Sequence, residues 1–283
     1  MPPRSTPTVR QMRLGAELRK LREGAGLPAR AAAEMIGGNQ AKISHVESGR
    51  WGVSAERVRR LAAFYFATDE TLVDALCAMA EERGKGWWEE YRGVLPQSFL
   101  DLAELEHHAT YFYSIQALTI PGIFQTEGYA RSLFESVIPP LPESEIEARV
   151  EHRMRRRVIF ERASPSPFDG IIHEAALRMC SGGRRVVKAQ LEYLLEVSEW
   201  PTVTLRVIPF ASEKFIGSAQ NLLYAGGVIP SLDTATVDTA YGSAFLDVKA
   251  QLAKYRAIYH VLAGVSLGIR ASRETIRDIA QEM

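Results

Sequence analysis

The chain has 283 residues, of which 46% are hydrophobic and 24% charged. This composition is typical of a globular protein and excludes a disordered or collagen-like chain. Its two cysteines, Cys77 and Cys180, are too few for a disulfide framework or a four-thiolate zinc site. No apolar run reaches the roughly 18 residues that a membrane span needs, so we expect a cytoplasmic protein.

Positive charge is concentrated at the beginning of the chain. The whole chain has 34 basic and 34 acidic residues and no net charge. Residues 1–66 nevertheless hold twelve basic and five acidic side chains, a net charge of +7, which leaves −7 for the remainder. A basic module joined to an acidic body is typical of chains that bind a polyanion such as DNA. Chance clustering of charges on a solvated face is the alternative.

The beginning of the chain also predicts a small helical domain. A proline-rich arm, 1–8, is expected to be disordered, and glycines and N-capping residues divide the segment 9–83 into five short helices. Gly37 and Gly38 separate the second helix from the third, and this tight turn is typical of a helix-turn-helix motif. We therefore predict a DNA-binding domain at 9–83.

The remainder, 84–283, predicts an α+β domain that binds an effector or partner and dimerises. The predicted helices are 98–109, 126–137, 143–162, 174–180, 184–198, 248–263 and 271–282. The predicted strands are 168–173 and 202–208, with weaker candidates at 221–224, 234–237 and 243–246. Strands that follow a run of helices indicate an α+β body. The predicted fold class is mainly α with a smaller α+β part.

The third helix holds the residues that we expect to contact DNA. The second helix of a helix-turn-helix motif lies in the major groove, where glutamine pairs with adenine and lysine reaches guanine. Ile43 and Val46 are expected to face inward, and Glu47 to pair with Arg50 or Arg57. Those two arginines also suit phosphate contacts. The predicted DNA-binding residues are Asn39, Gln40, Lys42, Ser44, His45, Arg50 and Arg57.

This segment resembles the Xre/Cro-type helix-turn-helix repressors. The resemblance runs from Leu14 to Gly49 and is most specific from Ile43 to Gly49. It implies a five-helix, lambda-repressor-like domain that binds a double-stranded DNA operator. Many members open the second helix with Ser-Gln, where this chain has Pro28 and Ala29. The contacts of that glutamine are therefore not implied here.

The later sequence resembles the C-terminal domain of actinobacterial Xre-type regulators called toxin–antitoxin-system antitoxin-like, which include WhiJ-like proteins. The run from Pro121 to Arg131 is the most specific part, and Trp87-Trp88 and His173-Glu174 flank it in a consistent order. The resemblance implies transcriptional control beside a small partner protein encoded by a neighbouring gene. It implies no catalytic residues.

Four polar residues are candidates for capturing a ligand or partner. Gln125 and Arg131 lie near a loop and a predicted helix start, and their surface role is a hypothesis. Arg155 and Arg156 belong to a dense basic run that could receive an acidic partner. We favour the alternative that this run is a solvated helix face, balanced by glutamates such as Glu151.

The sequence does not indicate an enzyme, a metal site or a cofactor. Glu104 and His108 are one helical turn apart, but one helix face supplies only two of the three or four ligands a metal needs. His173 and Glu174 could form an acid–base pair, although a glutamate at a helix start is more simply explained by the helix dipole.

We therefore predict a sequence-specific transcriptional regulator that binds its operator as a homodimer, because two-fold operators pair two modules. A ligand or small partner bound to the C-terminal domain would change operator affinity, and DNA-bound molecules would lie in the nucleoid. The alternative is an antitoxin-like module that sequesters a small partner and binds DNA only for autoregulation. A third alternative, an enzyme with a DNA-binding appendage, requires turnover that depends on His173 or Glu174.

Overall fold

The computed structural model describes residues 6–82, 86–213, 221–239 and 242–283. The chain divides into two compact units, Met1–Glu89 and Glu90–Met283. The predicted border between 83 and 84 and residues 1–5 of the predicted arm lie outside the described residues. The division into units falls slightly later than the predicted border, between Glu89 and Glu90.

The N-terminal unit contains the five predicted helices. They are α1 (Val9–Gly24), α2 (Ala29–Met35), α3 (Gln40–Glu47), α4 (Ala55–Phe64) and α5 (Glu70–Glu81). Side chains cap four of them, since Thr8, Asn39, Ser54 and Asp69 each accept a backbone N–H of the first turn. Thr8 is buried and forms a reciprocal capping box with Gln11, so the predicted disordered arm is wrong at Thr8, which is the ordered N-cap of α1.

Gly15 determines how closely α1 approaches α3. A Cβ atom at Gly15 would lie 2.4 Å from the carbonyl oxygen of Glu47 and 2.5 Å from that of Val46. The backbone of α1 therefore rests directly on the last turn of α3. Only a residue without a side chain allows this approach, which fixes α3 against the rest of the unit.

Replacing Gly15 by alanine is expected to lower the free energy of unfolding by about 1–3 kcal/mol, the usual cost of overpacking. Gly24→Ala is the matched control on the same helix, because a Cβ there would meet nothing within 4 Å. Urea unfolding followed by circular dichroism measures both variants. A Gly15→Ala variant as stable as Gly24→Ala would show that α1 and α3 are not held this closely.

The C-terminal unit is an α+β structure, as predicted, and the chain as a whole is mainly α. Its helices are α6 (Gln97–His108), α7 (Glu127–Glu135), α8 (Glu143–Arg155), α9 (Glu174–Arg178), α10 (Arg184–Val197), α11 (Lys249–Val265) and α12 (Ile269–Glu282). Its strands are β1 (Tyr111–Gln116), β2 (Phe168–His173), β3 (Val203–Ile208), β4 (Leu222–Gly226), β5 (Thr234–Thr239) and β6 (Gly242–Leu246).

The strands form one mixed sheet in the order β3-β2-β1-β4-β5-β6. Strands β1, β2 and β3 are parallel, whereas β4, β5 and β6 join by antiparallel pairing. One face packs on a core that includes Leu191 of α10 and Ile276 of α12, and the other on a core that includes Leu262 of α11. The five predicted strands are all present, but β1, which joins the parallel and antiparallel halves, was not predicted.

His152 of α8 is buried among aromatic rings. It is 1% exposed, and the rings of Tyr91 and Phe99 meet it edge-on at centroid distances of 5.1 and 5.7 Å. Burial, and then the charge of Arg156 and its neighbours, lowers the pKa of His152 to about 3. The imidazole is therefore neutral in the folded chain at any pH above that value.

This depressed pKa predicts a loss of stability in mild acid. The unfolded histidine takes up a proton below pH of about 6.5, and the folded one does not, so lowering the pH from about 7.5 to about 5 costs about 2 kcal/mol. We expect His152→Gln to remove this dependence and the control His260→Gln, at an exposed position, to retain it. Parallel pH profiles of urea unfolding for the wild type and His152→Gln would contradict the assignment.

Candidate nucleic-acid interface

Helix α3 has an inner face that packs in the core and an outer face in solvent. Ile43 and Val46 are buried, which confirms their predicted inward direction. Gln40, Ala41 and Ser44 are exposed on the opposite side. The outer face therefore presents an amide, a methyl group and a hydroxyl, and the exposed methyl of Ala41 suits contact with a thymine methyl group.

The start of α3 is fixed by Asn39 and Lys42. The Asn39 side-chain oxygen accepts the Lys42 backbone N–H at 3.0 Å, so the predicted DNA contact Asn39 is also the N-cap. Lys42 is half-buried at the edge of the outer face. The aliphatic part of its side chain packs against Gly38, where a Cβ would lie 2.6 Å from Lys42 Cδ. The helix-turn-helix turn thus leaves room for this lysine.

The end of α3 is fixed by a tryptophan that the sequence analysis did not single out. The ring of His45 stacks on Trp51 at a centroid distance of 5.2 Å and an angle of 25°. The backbone N–H of Trp51 also donates to the His45 carbonyl at 3.0 Å. His45, a predicted DNA contact, is therefore half-buried and fixed in orientation by Trp51. The position of an aromatic residue shortly after the predicted recognition helix was the sequence signal that could have indicated this contact.

Most of the basic side chains that the structure describes in the N-terminal unit are neutralised by nearby carboxylates. The ion pairs are Arg10–Glu82, Arg13–Glu17, Arg19–Glu23, Lys20–Glu17, Arg22–Glu47, Arg30–Glu34 and Arg59–Asp74. Lys42, Arg50 and Arg57 form no ion pair with any residue that the structure describes, and Arg50 and Arg57 are exposed. Arg60 of α4 is likewise exposed and donates only to the Met35 carbonyl, at 3.3 Å. The uncompensated positive charge therefore lies on α3, on the loop after it and on α4.

Glu47 pairs with Arg22 and not with Arg50 or Arg57, so that part of the sequence prediction is wrong. Arg22 Nε and Nη2 donate to the two Glu47 carboxylate oxygens at 2.6 and 3.0 Å. Both side chains are 9% exposed. Arg22 Nη1 also donates to the Leu27 carbonyl at 2.8 Å. Because Glu47 reaches back to α1, it anchors α3 and leaves Arg50 and Arg57 without a carboxylate.

The candidate ligand residues Gln125 and Arg131 are both engaged within the C-terminal unit. Gln125 is 2% exposed, and its Nε2 donates to the Ile120 carbonyl at 2.8 Å. The expectation of a surface role for Gln125 is therefore wrong. Arg131 donates twice to Glu147, at 2.8 Å each, and remains partly exposed.

The basic run after residue 152 is not the solvated helix face that we favoured. Helix α8 ends at Arg155, and a 3-10 turn, Arg156–Phe160, replaces the rest of the predicted helix. Arg155 pairs with Glu90, at 2.5 and 3.0 Å. Arg156 is buried and pairs with Glu106 of α6, at 2.5 and 2.7 Å. Arg156 is thus not available on the surface to a partner protein.

The candidate acid–base pair has structural contacts on both residues. His173 Nδ1 accepts the Ala175 N–H at 3.1 Å at the start of α9. Glu174 accepts from Arg178 at 2.7 Å and from the Phe210 N–H at 2.9 Å. Within the described ranges, no group of three or more histidine, cysteine or acidic residues is placed to hold a metal ion. None of the described helices combines the length and apolar character that crossing a membrane requires.

Comparison with known proteins identifies two regions. Residues 13–76 match the model of a helix-turn-helix domain. Residues 99–278 match the model of a domain of unknown function, DUF5753. No curated protein and no solved structure matches the chain. The first match runs from Arg13 in α1 through α2, α3 and α4 into α5. This helix-turn-helix domain supports a DNA-binding regulator.

Proposed function

Since the chain belongs to the family of the domain of unknown function DUF5753, and carries a helix-turn-helix domain before it, we propose that it is a sequence-specific transcriptional regulator. Helix α3 reads an operator in the major groove. The C-terminal unit adjusts operator affinity when it binds a ligand or small partner protein. This is the arrangement of Xre-type regulators with antitoxin-like C-terminal domains, which the sequence resembles.

The observation that carries the proposal is the distribution of paired and unpaired cations in the N-terminal unit. Seven basic side chains away from the outer face of α3 are neutralised by carboxylates. Lys42, Arg50, Arg57 and Arg60 have no such partner among the described residues. A polyanion gains the most from cations that are not already paired, because each one neutralises a phosphate and releases a counterion.

The outer face of α3 supplies the chemistry for reading bases. An exposed glutamine pairs with adenine through two hydrogen bonds, and a lysine reaches the acceptors of guanine. Gln40 and Lys42 are assigned these roles, while Arg50 and Arg57 hold phosphates and set the register. The N-cap Asn39, Ser44 and the oriented ring of His45 supply further polar contacts at the groove.

A homodimer follows from the size of the module. One helix-turn-helix module buries about 600–1,000 Å² on DNA, and two modules on half-sites one helical turn apart give the affinity and spacing of a two-fold operator. We place the protein in the cytoplasm and, when bound, on the nucleoid. No catalytic role is assigned to it.

The test is to select bound fragments from sheared genomic DNA with the purified full-length chain, with and without the protein encoded next to it. We expect enrichment of fragments that share a two-fold motif, and a change in their retention when the neighbouring protein is added. Sedimentation of the complex on the selected duplex should give two chains. Enrichment of no motif, together with a stoichiometric complex with the neighbouring protein, would replace the proposal with the partner-sequestering module.

A further inference from the structure

The C-terminal unit contains a cavity of about 460 Å³. It lies between the sheet and the helices α6 and α8. Ser114 lines it from the sheet, Glu106 from α6 and Arg153 from α8. Small-molecule sites in proteins have volumes of about 300–1,000 Å³ and combine apolar walls with a few polar groups. The size alone therefore suits a small organic molecule.

The sheet wall of this cavity is polar where a core would be apolar. Alternate residues of a strand share one face, so Ser114 and Gln116 of β1 lie on the same side as Phe112. Phe112 packs in the core, whereas Ser114 and Gln116 line the cavity, together with Thr236 of β5. Ser114, Gln116 and Thr236 are all buried. Gln116 Nε2 donates to Ser114 Oγ at 3.4 Å, Gln116 Oε1 accepts from Thr119 at 3.2 Å, and Thr236 Oγ1 donates to the Leu223 carbonyl at 3.5 Å. The wall therefore stays polar without an occupant, and it offers a polar molecule hydrogen-bonding groups that an apolar core would lack.

The helix wall brings three guanidinium groups to the cavity. Arg156 is paired with Glu106, and Arg149 with Glu145 at 2.6 Å. Arg153 has no carboxylate partner among the described residues. Its Nη1 donates to Gln125 Oε1 at 2.5 Å, and its Nε is buried without a hydrogen bond.

The guanidinium group of Arg153, which has no carboxylate partner among the described residues, lies next to that of Arg156. A Cβ on Gly122 would stand 3.1 Å from Nη1 of Arg153 and 3.1 Å from Nη1 of Arg156, so both converge beside this glycine. Burial, and then the charge of Arg156, lowers the pKa of Arg153 to about 9. The guanidinium remains charged at neutral pH, and an anion beside it would offset the cost of burying that charge.

The remaining walls of the cavity are apolar and aromatic. Phe99 of α6 and Phe134 of α7 line it, as do Leu133 and Val137. The guanidinium of Arg153 lies over the Phe134 ring at 4.9 Å, so the charged and apolar walls adjoin. An occupant that matches both has an anionic head and an apolar body.

We propose that this cavity binds a small organic monocarboxylate, with its carboxylate at Arg153 and its apolar body against Phe99 and Phe134. A single negative charge fits best, because Glu106 and Asp238 also line the cavity and would repel a dianion. Asp238 is the hydrogen-bond partner of Ser243, at 3.2 Å. The carboxylate bound in this cavity is the ligand of the proposed regulator. Its binding does not depend on the proposed function, whereas its effect on operator affinity rests on that function.

The experiment is calorimetric titration of the full-length chain, without DNA, with decanoate and 4-phenylbutanoate and with the primary amide of each. We expect at least one carboxylate to bind with one molecule per chain and its amide to bind at least about tenfold more weakly, because a charged hydrogen bond is lost. Arg153→Met should weaken binding of the carboxylate by at least about tenfold and leave the affinity for the amide unchanged. Arg155→Met is the matched control on the same helix, since that side chain pairs with Glu90, and it should bind like the wild type.

A second variant keeps the proposal testable if Arg153→Met does not fold. Val137→Trp adds volume at a half-buried lining position without removing a charge, and it should abolish carboxylate binding. Absence of carboxylate binding to the wild type, equal binding of carboxylate and amide, or full binding by Val137→Trp would each overturn the proposal. If the chain binds the carboxylate but selects no DNA motif, the proposed site stands and the proposed function is contradicted. If it selects a DNA motif but does not bind the carboxylate, only the proposed site is contradicted.

Discussion

Glu47→Ala is expected to lower the free energy of unfolding of the N-terminal unit by about 3–5 kcal/mol, because it leaves the buried charge of Arg22 with only the Leu27 carbonyl and the more distant Glu23 carboxylate, at 3.5 Å. Glu47 is held by two hydrogen bonds from Arg22, and both side chains are 9% exposed. The loss should be visible in urea unfolding as an early transition of this unit. Binding to every DNA duplex should fall with it, since α3 is no longer anchored to α1.

Two controls separate this effect from a general loss of charge. Glu34→Ala removes an exposed carboxylate that pairs with Arg30 in the same unit, and should cost less than about 1 kcal/mol. The double variant Arg22→Met, Glu47→Leu removes both buried charges and should recover much of the stability lost in Glu47→Ala. Equal stabilities of Glu47→Ala and Glu34→Ala would contradict the anchoring role.

Gln40→Ala and Lys42→Ala are each expected to cost about 1–3 kcal/mol of binding at the cognate operator and less on unrelated DNA, where Lys42→Ala loses only the attraction of its charge to phosphate. Both side chains stand where base edges would lie if α3 enters the major groove. Arg57→Ala is the matched comparison, since it should weaken all duplexes alike and reduce the salt dependence by the contribution of about one phosphate.

Fluorescence anisotropy with the operator duplex and a shuffled duplex, at several salt concentrations, measures both effects. The ratio of the two affinities should fall for Gln40→Ala and Lys42→Ala and stay constant for Arg57→Ala. If Gln40→Ala and Lys42→Ala instead lose affinity equally on both duplexes, these residues bind backbone and do not read sequence.

Local sequence signals were sufficient for the N-terminal unit. Glycines at helix ends and capping residues such as Asn39 and Ser54 act within one turn, so they can be recognised without knowledge of the fold. The spacing of Ile43 and Val46 likewise gave their inward direction, which the structure confirms. Trp51 was missed because it lies outside any regular element, in the loop after α3, where periodicity does not predict its contact with His45.

Strand β1 could not be recognised by alternation. Phe112 contacts the core on one face of the sheet and Ile115 the core on the other, and a strand buried on both faces does not alternate apolar and polar residues. The first three residues of this strand, Tyr111, Phe112 and Tyr113, are aromatic. Their enrichment in strands was the signal that would have indicated β1.

The ion pairs were predicted wrongly because their partners are distant in sequence. Glu47 meets Arg22 across 25 residues, and Arg156 meets Glu106 across 50. Pattern reasoning favours neighbours one helical turn away, such as Glu151 for Arg155, and has no means of finding a partner on another element. The cavity at Arg153 was hidden for the same reason, since its walls come from separate helices and from the sheet.

The central claim, that α3 reads bases in the major groove, is tested most directly by methylation interference on the selected operator. Methylation at guanine N7 marks the major groove, and methylation at adenine N3 marks the minor groove. We expect guanine methylation to block binding of the wild type, and Lys42→Ala to become insensitive at one guanine of each half-site while the other positions are unchanged. An identical pattern for wild type and Lys42→Ala, or interference from adenine N3 alone, would contradict it.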